Sequence, residues 1–367
     1  MKNAIFLAAL CACLVAPELN SAMAQNLSGP FASPADPNQL LLAAIHSNGL
    51  GSASVKPWHV RISFAVEERF SQSADHGTIE EWWVSSTHYK RSITATNFTQ
   101  TEYGTESGMR RAGIRSTAPP SLTRFLNSIA QPIDIPEDAV PTLNVKRNDR
   151  TAGEAHFSCL ATEAGKITPA AVRVMPEIYC VDAQHPILRF ASAPNGFSQT
   201  FFNQIVLFNS RYVAKDVQAS MNSSDGGKPK LLWSVKVEQL ETLTDADAAA
   251  IDPPPGTAAA APIITLTEKE ARAVMVDHPK PVYPPIAQAA RVSGDVTIEI
   301  HAGVDGRVSS LRVVSGPAML QGAAVDAVKK WTFKPAESDG DTAEIETTIT
   351  IPFRLAGVGA NAITRTE

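Results

Sequence analysis

Histidines, carboxylate pairs and cysteines are the residues of this chain that could do chemistry, and their spacing decides which. His59, His76, His88, His156 and His185 are scattered, with no HExxH pair, no GxSxG elbow and no glycine-rich phosphate loop. Histidines spread over strands and turns in this way are expected to be solvated. Glu80-Glu81 beside Trp82-Trp83 has the ingredients of a sugar-binding cleft, which needs two carboxyl groups facing one bond. Neighbouring residues of a strand point to opposite faces, so this pair cannot act together. No catalytic residue, metal site or cofactor is expected, and the chain is not expected to be an enzyme.

The four cysteines fall into two groups, Cys11 and Cys13 near the start and Cys159 and Cys180 in the interior. Lys2, the apolar run Ala4 to Ala16 and the small-x-small site Ala22-Met23-Ala24 before Gln25 read as a secretory signal peptide over 1–24. The run is about 13 residues, short of the roughly 20 that cross a bilayer. An uncleaved anchor and lipid attachment at Cys13 are the alternatives. Cleavage would leave Cys159 and Cys180 in an oxidising compartment, where a disulfide is the expectation over free thiols or a metal site. Closing a loop of about 20 residues would stabilise the fold by roughly 3 kcal/mol in the chain-entropy model. The expected location is the periplasm.

A chain of 367 residues is long enough for about two domains. A formal net charge of −5 without a Lys/Arg block argues against nucleic acid or an anionic membrane surface as the main partner. After a Ser/Pro/Gly-rich leader, Asp36-Pro37-Asn38 can cap a short helix carrying Leu40, Leu41, Ala44 and Ile45, stopped at Asn48-Gly49. From Trp58 the period becomes two, with Val60, Ile62, Phe64 and Val66 on one face. Segments rich in β-branched and aromatic residues come next, among them 78–85, 88–98, 98–105, 154–160, 171–174, 186–191, 204–208, 211–217 and 231–240, with long loops near Ala118 and Gln131. Strands in series without long amphipathic helices point to a curved antiparallel sheet over 25–244. Residues 245–262, dominated by Ala, Pro, Asp and Gly, read as a linker, and 263–367 as a second domain.

In that second part, Tyr283-Pro284-Pro285 leads into a short helix, Gly294 ends it, and Val296, Ile298 and Ile300 share one strand face. Asp305-Gly306 is a hairpin turn to a strand with Leu311 and Val313. Ser315-Gly316-Pro317 opens a helix whose stripe is Leu320, Ala323, Ala324, Ala327, Val328 and Trp331, and Pro335 stops it. A third strand is expected at 345–353. The fold class is α+β: an antiparallel β-rich, half-barrel-like domain, a linker, and a helix-strand-strand-helix-strand module.

Tyr283, Pro284, Gly294, Gly306, Ser315, Gly316, Trp331, Phe333 and Pro335 stand in an order and spacing that resemble the TonB C-terminal domain over 279–355. The leading helix and strand series of the first part are loosely similar in shape to LolA-type lipoprotein carriers. The TonB resemblance implies a periplasmic module whose exposed edge strand pairs with an extended segment of an outer-membrane receptor or other envelope protein, by β-augmentation. It implies 344–355 as that strand, with Glu344, Glu346, Thr348, Thr350 and Pro352 in contact, while the motif residues act as core and turn determinants. Against an energy transducer stand the cleaved signal, the short linker and the additional β-rich domain. The expected function is a periplasmic TonB-like adaptor. The alternatives are a membrane-anchored transducer with an uncleaved N-terminus and a carrier of an apolar ligand in the first domain. A second copy of the chain, forming a homodimer through the same edge strand, is a further candidate partner.

Overall fold

The computed structural model describes residues 33–51, 56–67, 76–96, 98–162, 177–193, 198–222, 228–249 and 251–355. The signal-peptide segment and the strand expected at 171–174 lie outside them. The chain divides into two compact units, one made of Met1–Gly113 and Ser121–Pro255, the other of Ile114–Pro120 and Gly256–Glu367.

The first unit begins with helix α1 (Pro37–Ser47), capped by Asp36 Oδ1 accepting from the Gln39 amide at 2.8 Å. Its carbonyl end is closed by Arg211, which donates to the carbonyls of Ile45 (2.9 Å), Asn48 (2.6 Å) and Gly49 (2.8 Å). The Ile45 carbonyl is one of the orphan acceptors a helix end leaves, and those of Asn48 and Gly49 belong to the turn that follows. The strands are β1 (Trp58–Val66), β2 (His76–Ser85), β3 (His88–Ala95), β4 (Phe98–Thr105), β5 (Gly108–Gly113), β6 (Val145–Ala152), β7 (Ala155–Thr162), β8 (Ile178–Asp182), β9 (Leu188–Ser192), β10 (Ser198–Phe208), β11 (Arg211–Met221) and β12 (Lys230–Thr242). They pair antiparallel in the order β5-β4-β3-β2-β1-β12-β11-β10-β9-β8-β7-β6, each beside its sequence neighbour except where β1 meets β12. Cys159 and Cys180 face each other across β7 and β8 and form the disulfide.

Helix α2 (Pro120–Ala130) lies where the sequence predicts a long loop. Leu122, Phe125, Leu126 and Ile129 repeat at helical spacing and are buried, and the Phe125 ring stacks on Phe64 at 4.5 Å. Burying that stripe against the sheet is what fixes the helix. A short helix α3 (Asp245–Ala249) forms inside the segment that reads as linker.

The second unit contains β13 (Ile263–Leu266), α4 (Glu268–Val274), β14 (Met275–Asp277), α5 (Pro285–Ala289), β15 (Gly294–Ala302), β16 (Val308–Ser315), α6 (Ala318–Val328), β17 (Thr332–Phe333), β18 (Ala336–Ser338) and β19 (Asp341–Phe353). The main sheet runs β13-β19-β15-β16, with β18 paired to β19, and β14 pairs separately with β17. Period-two burial explains the core. Val296, Ile298, Ile300 and Ala302 of β15 and Ile345, Ile349, Ile351 and Phe353 of β19 meet Leu320, Ala324 and Val328 of α6. Helix α6 ends at Val328, so Trp331 lies beyond it, not on its stripe, and Pro335 is not its stop. Trp331 is buried and its indole N–H donates to the Pro279 carbonyl at 3.0 Å. Gly306 has φ +75°, and a Cβ there would sit 2.0 Å from the Phe333 carbonyl oxygen, so this turn needs glycine.

Candidate functional site: the edge of the last strand

His59 is buried, contrary to the expectation of solvated histidines, because strand pairing sets it between Glu80 and Glu241 while its ring stacks on Trp82 at 4.6 Å. Its Nε2 lies 2.9 Å from Glu80 and its Nδ1 2.8 Å from Glu241, so both ring nitrogens are engaged. Glu80 and Glu81 take different partners, as opposite faces require: Glu80 meets His59, whereas Glu81 accepts from Arg91 at 3.0 Å. Glu81, Arg91, Glu102 and Arg111 stand opposite one another on β2, β3, β4 and β5. The alternating charges form a row of ion pairs with Arg91–Glu102 at 3.6 Å and Arg111–Glu102 at 3.0 Å, and Tyr89 donates to Glu102 at 2.8 Å. Burial pushes the Glu81 carboxyl above its usual range despite Arg91, and burial together with Glu102 pushes the Tyr89 hydroxyl up. This is a structural row of matched charges. Among the described residues no group of three or more His, Cys, Asp or Glu converges to hold a metal ion.

On the first-unit sheet, α2 meets β1 through Phe125 on Phe64, and α1, with Leu40, Leu41 and Ala44 buried, lies beside β6 and β11. A cleft of about 70 Å³ lies among Ile45, Ala130, Ile133, Ile135 and Arg211.

In the second unit the site is the outer edge of β19. Backbone groups of a strand point alternately to its two sides. On β19 the amide of Glu344 donates to the Pro262 carbonyl at 2.8 Å, and the amide and carbonyl of Thr350 meet Glu268 Oε1 (3.3 Å) and Arg272 Nη2 (2.8 Å). The even-numbered residues Glu344, Glu346, Thr348, Thr350 and Pro352 therefore turn their backbones away from β15, as a partner strand on that side requires. The expectation of an exposed edge needs correcting. Strand β13 runs parallel to β19, with Ile263, Ile264, Thr265 and Leu266 opposite Glu344, Ile345, Glu346 and Thr347. Past its end, the i,i+4 pair Glu268–Arg272 (2.7 Å) takes both backbone groups of Thr350. The family motifs begin only at 279 and give no sign of this neighbour. The signal that could have found it is Thr267-x-x-Glu270, a capping box that starts α4, in which the Thr267 amide donates to Glu270 at 2.9 Å.

Glu344 is the one residue of the expected contact set whose side chain is buried, while Glu346, Thr348 and Pro352 are exposed. Its carboxylate accepts from the Thr117 amide (2.9 Å) and hydroxyl (3.1 Å) and lies 2.9 Å from His301 Nε2. Arg115 donates twice to Asp341, at 2.9 and 2.6 Å, and the Val304 amide donates to Ser116 Oγ at 3.2 Å. The segment 114–120, far away in sequence, is thus a working part of the unit that sequence reasoning did not find.

Burial pushes Glu344 up, but the close His301 ring and the hydrogen bonds from Thr117 outweigh it and hold the carboxyl below its usual range. The hydrogen bond from Arg115 does the same for exposed Asp341. Both groups have depressed folded-state values, so their contribution is present above the ordinary carboxyl range and is lost as pH falls through the folded values. Hydrogen exchange at Ile345 to Ile351 is expected to accelerate as pH drops below about 4, after correction for intrinsic rates. Glu344→Gln should flatten that acid dependence and speed exchange already at pH 7. Unchanged protection in both proteins would contradict it.

Of the motif residues, Pro284 caps α5, the Tyr283 ring meets Phe353 edge-on at 5.6 Å while its hydroxyl donates to the Val292 carbonyl, and Phe333 is buried with its amide donating to the Gly306 carbonyl at 2.7 Å. Gly294 and Gly316 adopt positive φ, and Ser315 ends β16 on the surface. No helix among the described residues is long and apolar enough to cross a membrane.

Protein TonB of Klebsiella pneumoniae is 33% identical over 111 residues, covering 30% of this chain and 42% of the relative. Protein tonB2 of Pseudomonas aeruginosa is 40% identical over 76 residues, 20% of this chain and 28% of that one. The chain spans less than half the length of these relatives. Among solved structures, a LolA superfamily protein from Nitrosomonas europaea matches 61% of this chain and 98% of its own at 8% identity and TM-score 0.38. The solution structure of the Pseudomonas aeruginosa TonB CTD matches 22% of this chain and 85% of its own at 27% identity and TM-score 0.20. Residues 279–355, the stretch that builds α5, β15, β16, α6 and all of β19, match the family model of the Gram-negative bacterial TonB protein C-terminal.

Proposed function

We propose that this protein is an exported, TonB-like adaptor of the cell envelope, which takes an extended segment of an outer-membrane receptor or another envelope protein as an added strand on β19. The observation that carries the reading is the outward row of backbone groups from Glu344 to Thr350, in a unit whose 279–355 segment matches the TonB C-terminal family. Main-chain hydrogen bonds give such a contact its affinity, and the exposed side chains of Glu346, Thr348 and Pro352 give it choice. Export is inferred from the signal-like start, and disulfide-linked Cys159 and Cys180 fit an oxidising compartment.

The test is capture of outer-membrane proteins by the full chain, with each captured protein identified by mass spectrometry, against Thr350→Pro. The Thr350 amide points away from β15, so proline there removes an outward donor and leaves the β15 ladder in place. Capture of a receptor that falls at least about tenfold with Thr350→Pro, at nearly unchanged melting temperature, is the expected result, since one edge hydrogen bond and the steric block together exceed about 1.4 kcal/mol. Equal capture by both proteins would remove β19 from the mechanism.

A further inference from the structure

The neighbour that β19 already has bears on how any partner gains access. Segment 263–274 supplies a parallel strand against Glu344 to Thr347 and then a Glu–Arg pair that imitates a backbone neighbour at Thr350. The segment satisfies the edge, with Ile264 and Leu266 partly buried against the core, yet it is held less firmly than the other side of β19. No residue of β13 is fully buried, Ile263 is 51% exposed, and Ala271 is the buried residue of α4. Glu268 and Arg272 are 39% and 44% exposed, the class of ion pair that contributes least. By contrast, the β15 side of the same strand is secured by Val296, Ile298, Ile300 and Ala302, all fully buried. Local opening tracks such differences in buried contact.

We infer that residues 263–274 are a built-in competitor for the β19 edge, so that a partner strand binds by displacing β13 and the Glu268–Arg272 pair while the β15–β19 ladder stays closed. The inference rests on the β19 reading above and adds its regulation. It also specifies the incoming chain: an extended segment running parallel to β19, with β-branched or aliphatic residues in the places of Ile263, Ile264 and Thr265. The end of the covering segment acts as the hinge. Val274 remains tied through its carbonyl, which accepts from the Lys334 amide at 2.8 Å, and Met275 pairs with Phe333. The segment can therefore swing out while β14 stays paired with β17.

The probe is a fluorescent peptide with the sequence of this chain's own Pro262 to Thr267, titrated by anisotropy into the full chain. Three other proteins are compared with it. Ile264→Pro weakens the parallel pairing, Arg272→Ala removes the Thr350 plug with a surface change that leaves folding intact, and Thr265→Cys with Glu346→Cys locks opposite residues by a disulfide. The expected order is peptide binding at least about tenfold tighter for Ile264→Pro and severalfold tighter for Arg272→Ala than for the unaltered chain, and none for the locked form. Equal binding by all four, or no binding by any, overturns the inference. If the opened proteins take the peptide but no form captures an outer-membrane protein, displacement stands and the receptor reading fails. If receptor capture is the same in the locked and unlocked proteins, the receptor uses another surface and the competitor role is lost.

Discussion

Arg91→Ala is expected to destabilise the first unit by about 3 kcal/mol at pH 7, because it leaves a buried carboxylate without its partner. Glu81, with a side chain only 3% exposed, loses the guanidinium donor that sits 3.0 Å away, and Glu102 keeps Arg111 and Tyr89. The pH dependence supplies the signature. Glu81 already has a carboxyl raised above its ordinary value by burial, and removing the guanidinium raises it further. A group with a raised folded-state value costs stability as pH rises above the unfolded value, so part of the loss in Arg91→Ala should return between pH 7 and pH 5. Adding Glu81→Gln should recover part of it at pH 7, since the loss is mostly the stranded charge. Urea unfolding followed by tryptophan fluorescence measures this, because Trp58, Trp82, Trp83 and Trp233 all lie in the first unit. A loss under about 1 kcal/mol with no pH dependence would mean that water reaches Glu81.

Trp331→Ala should cost the second unit about 3–5 kcal/mol, the range for removing a large buried aromatic side chain. Trp331 is 5% exposed and packs in the cluster with Leu320, Val328, Phe333 and Ile345, and its N–H fixes Pro279 at the start of the family segment. Trp331→Phe keeps much of the volume and loses that hydrogen bond, so about 1–2 kcal/mol is expected. Hydrogen exchange at Val296 to Ile300 reads both changes: a loss of about 3 kcal/mol corresponds to roughly hundredfold faster exchange by global opening. Near-normal protection in Trp331→Ala would show that the cluster closes around the gap.

The legible parts of the sequence are those with simple periods. The alternation from Trp58 to Val66 marks β1, Asp36-Pro37 marks the start of α1, and the turn and strand pattern from Gly294 to Phe353 marks the module. Helix α2 is as readable as these, since Pro120, Leu122, Phe125, Leu126 and Ile129 carry a first-turn proline and a helical stripe, but the prolines before it suggest a loop. His59 is not readable, because its environment depends on Glu241, which is 182 residues away. The same holds for the occupied edge. Nothing local to Glu344 announces that Ile263 lies beside it, and no motif near Thr117 predicts a carboxylate acceptor. Long-range register is the part of a fold that a single sequence encodes least visibly.

The bond from the Thr117 amide to Glu344 joins residues 227 apart, and Arg115 reaches Asp341 over 226. At about 5–20 residues per second, a ribosome finishes Thr117 roughly 11–45 s before its acceptor exists. During that interval the elements on either side of 114–120, β5 and α2, can already fold with the first unit, while the donors of the segment between them wait in water. The second unit is therefore a late-closing structure by timing alone: its buried carboxylate accepts hydrogen bonds from groups made long before it. A cut within 256–262 after folding would sever the covalent path into the rest of the second unit and leave in place the noncovalent contacts of 114–120, which stays on the N-terminal fragment. The two fragments would then remain a single particle under native conditions and separate only on denaturation.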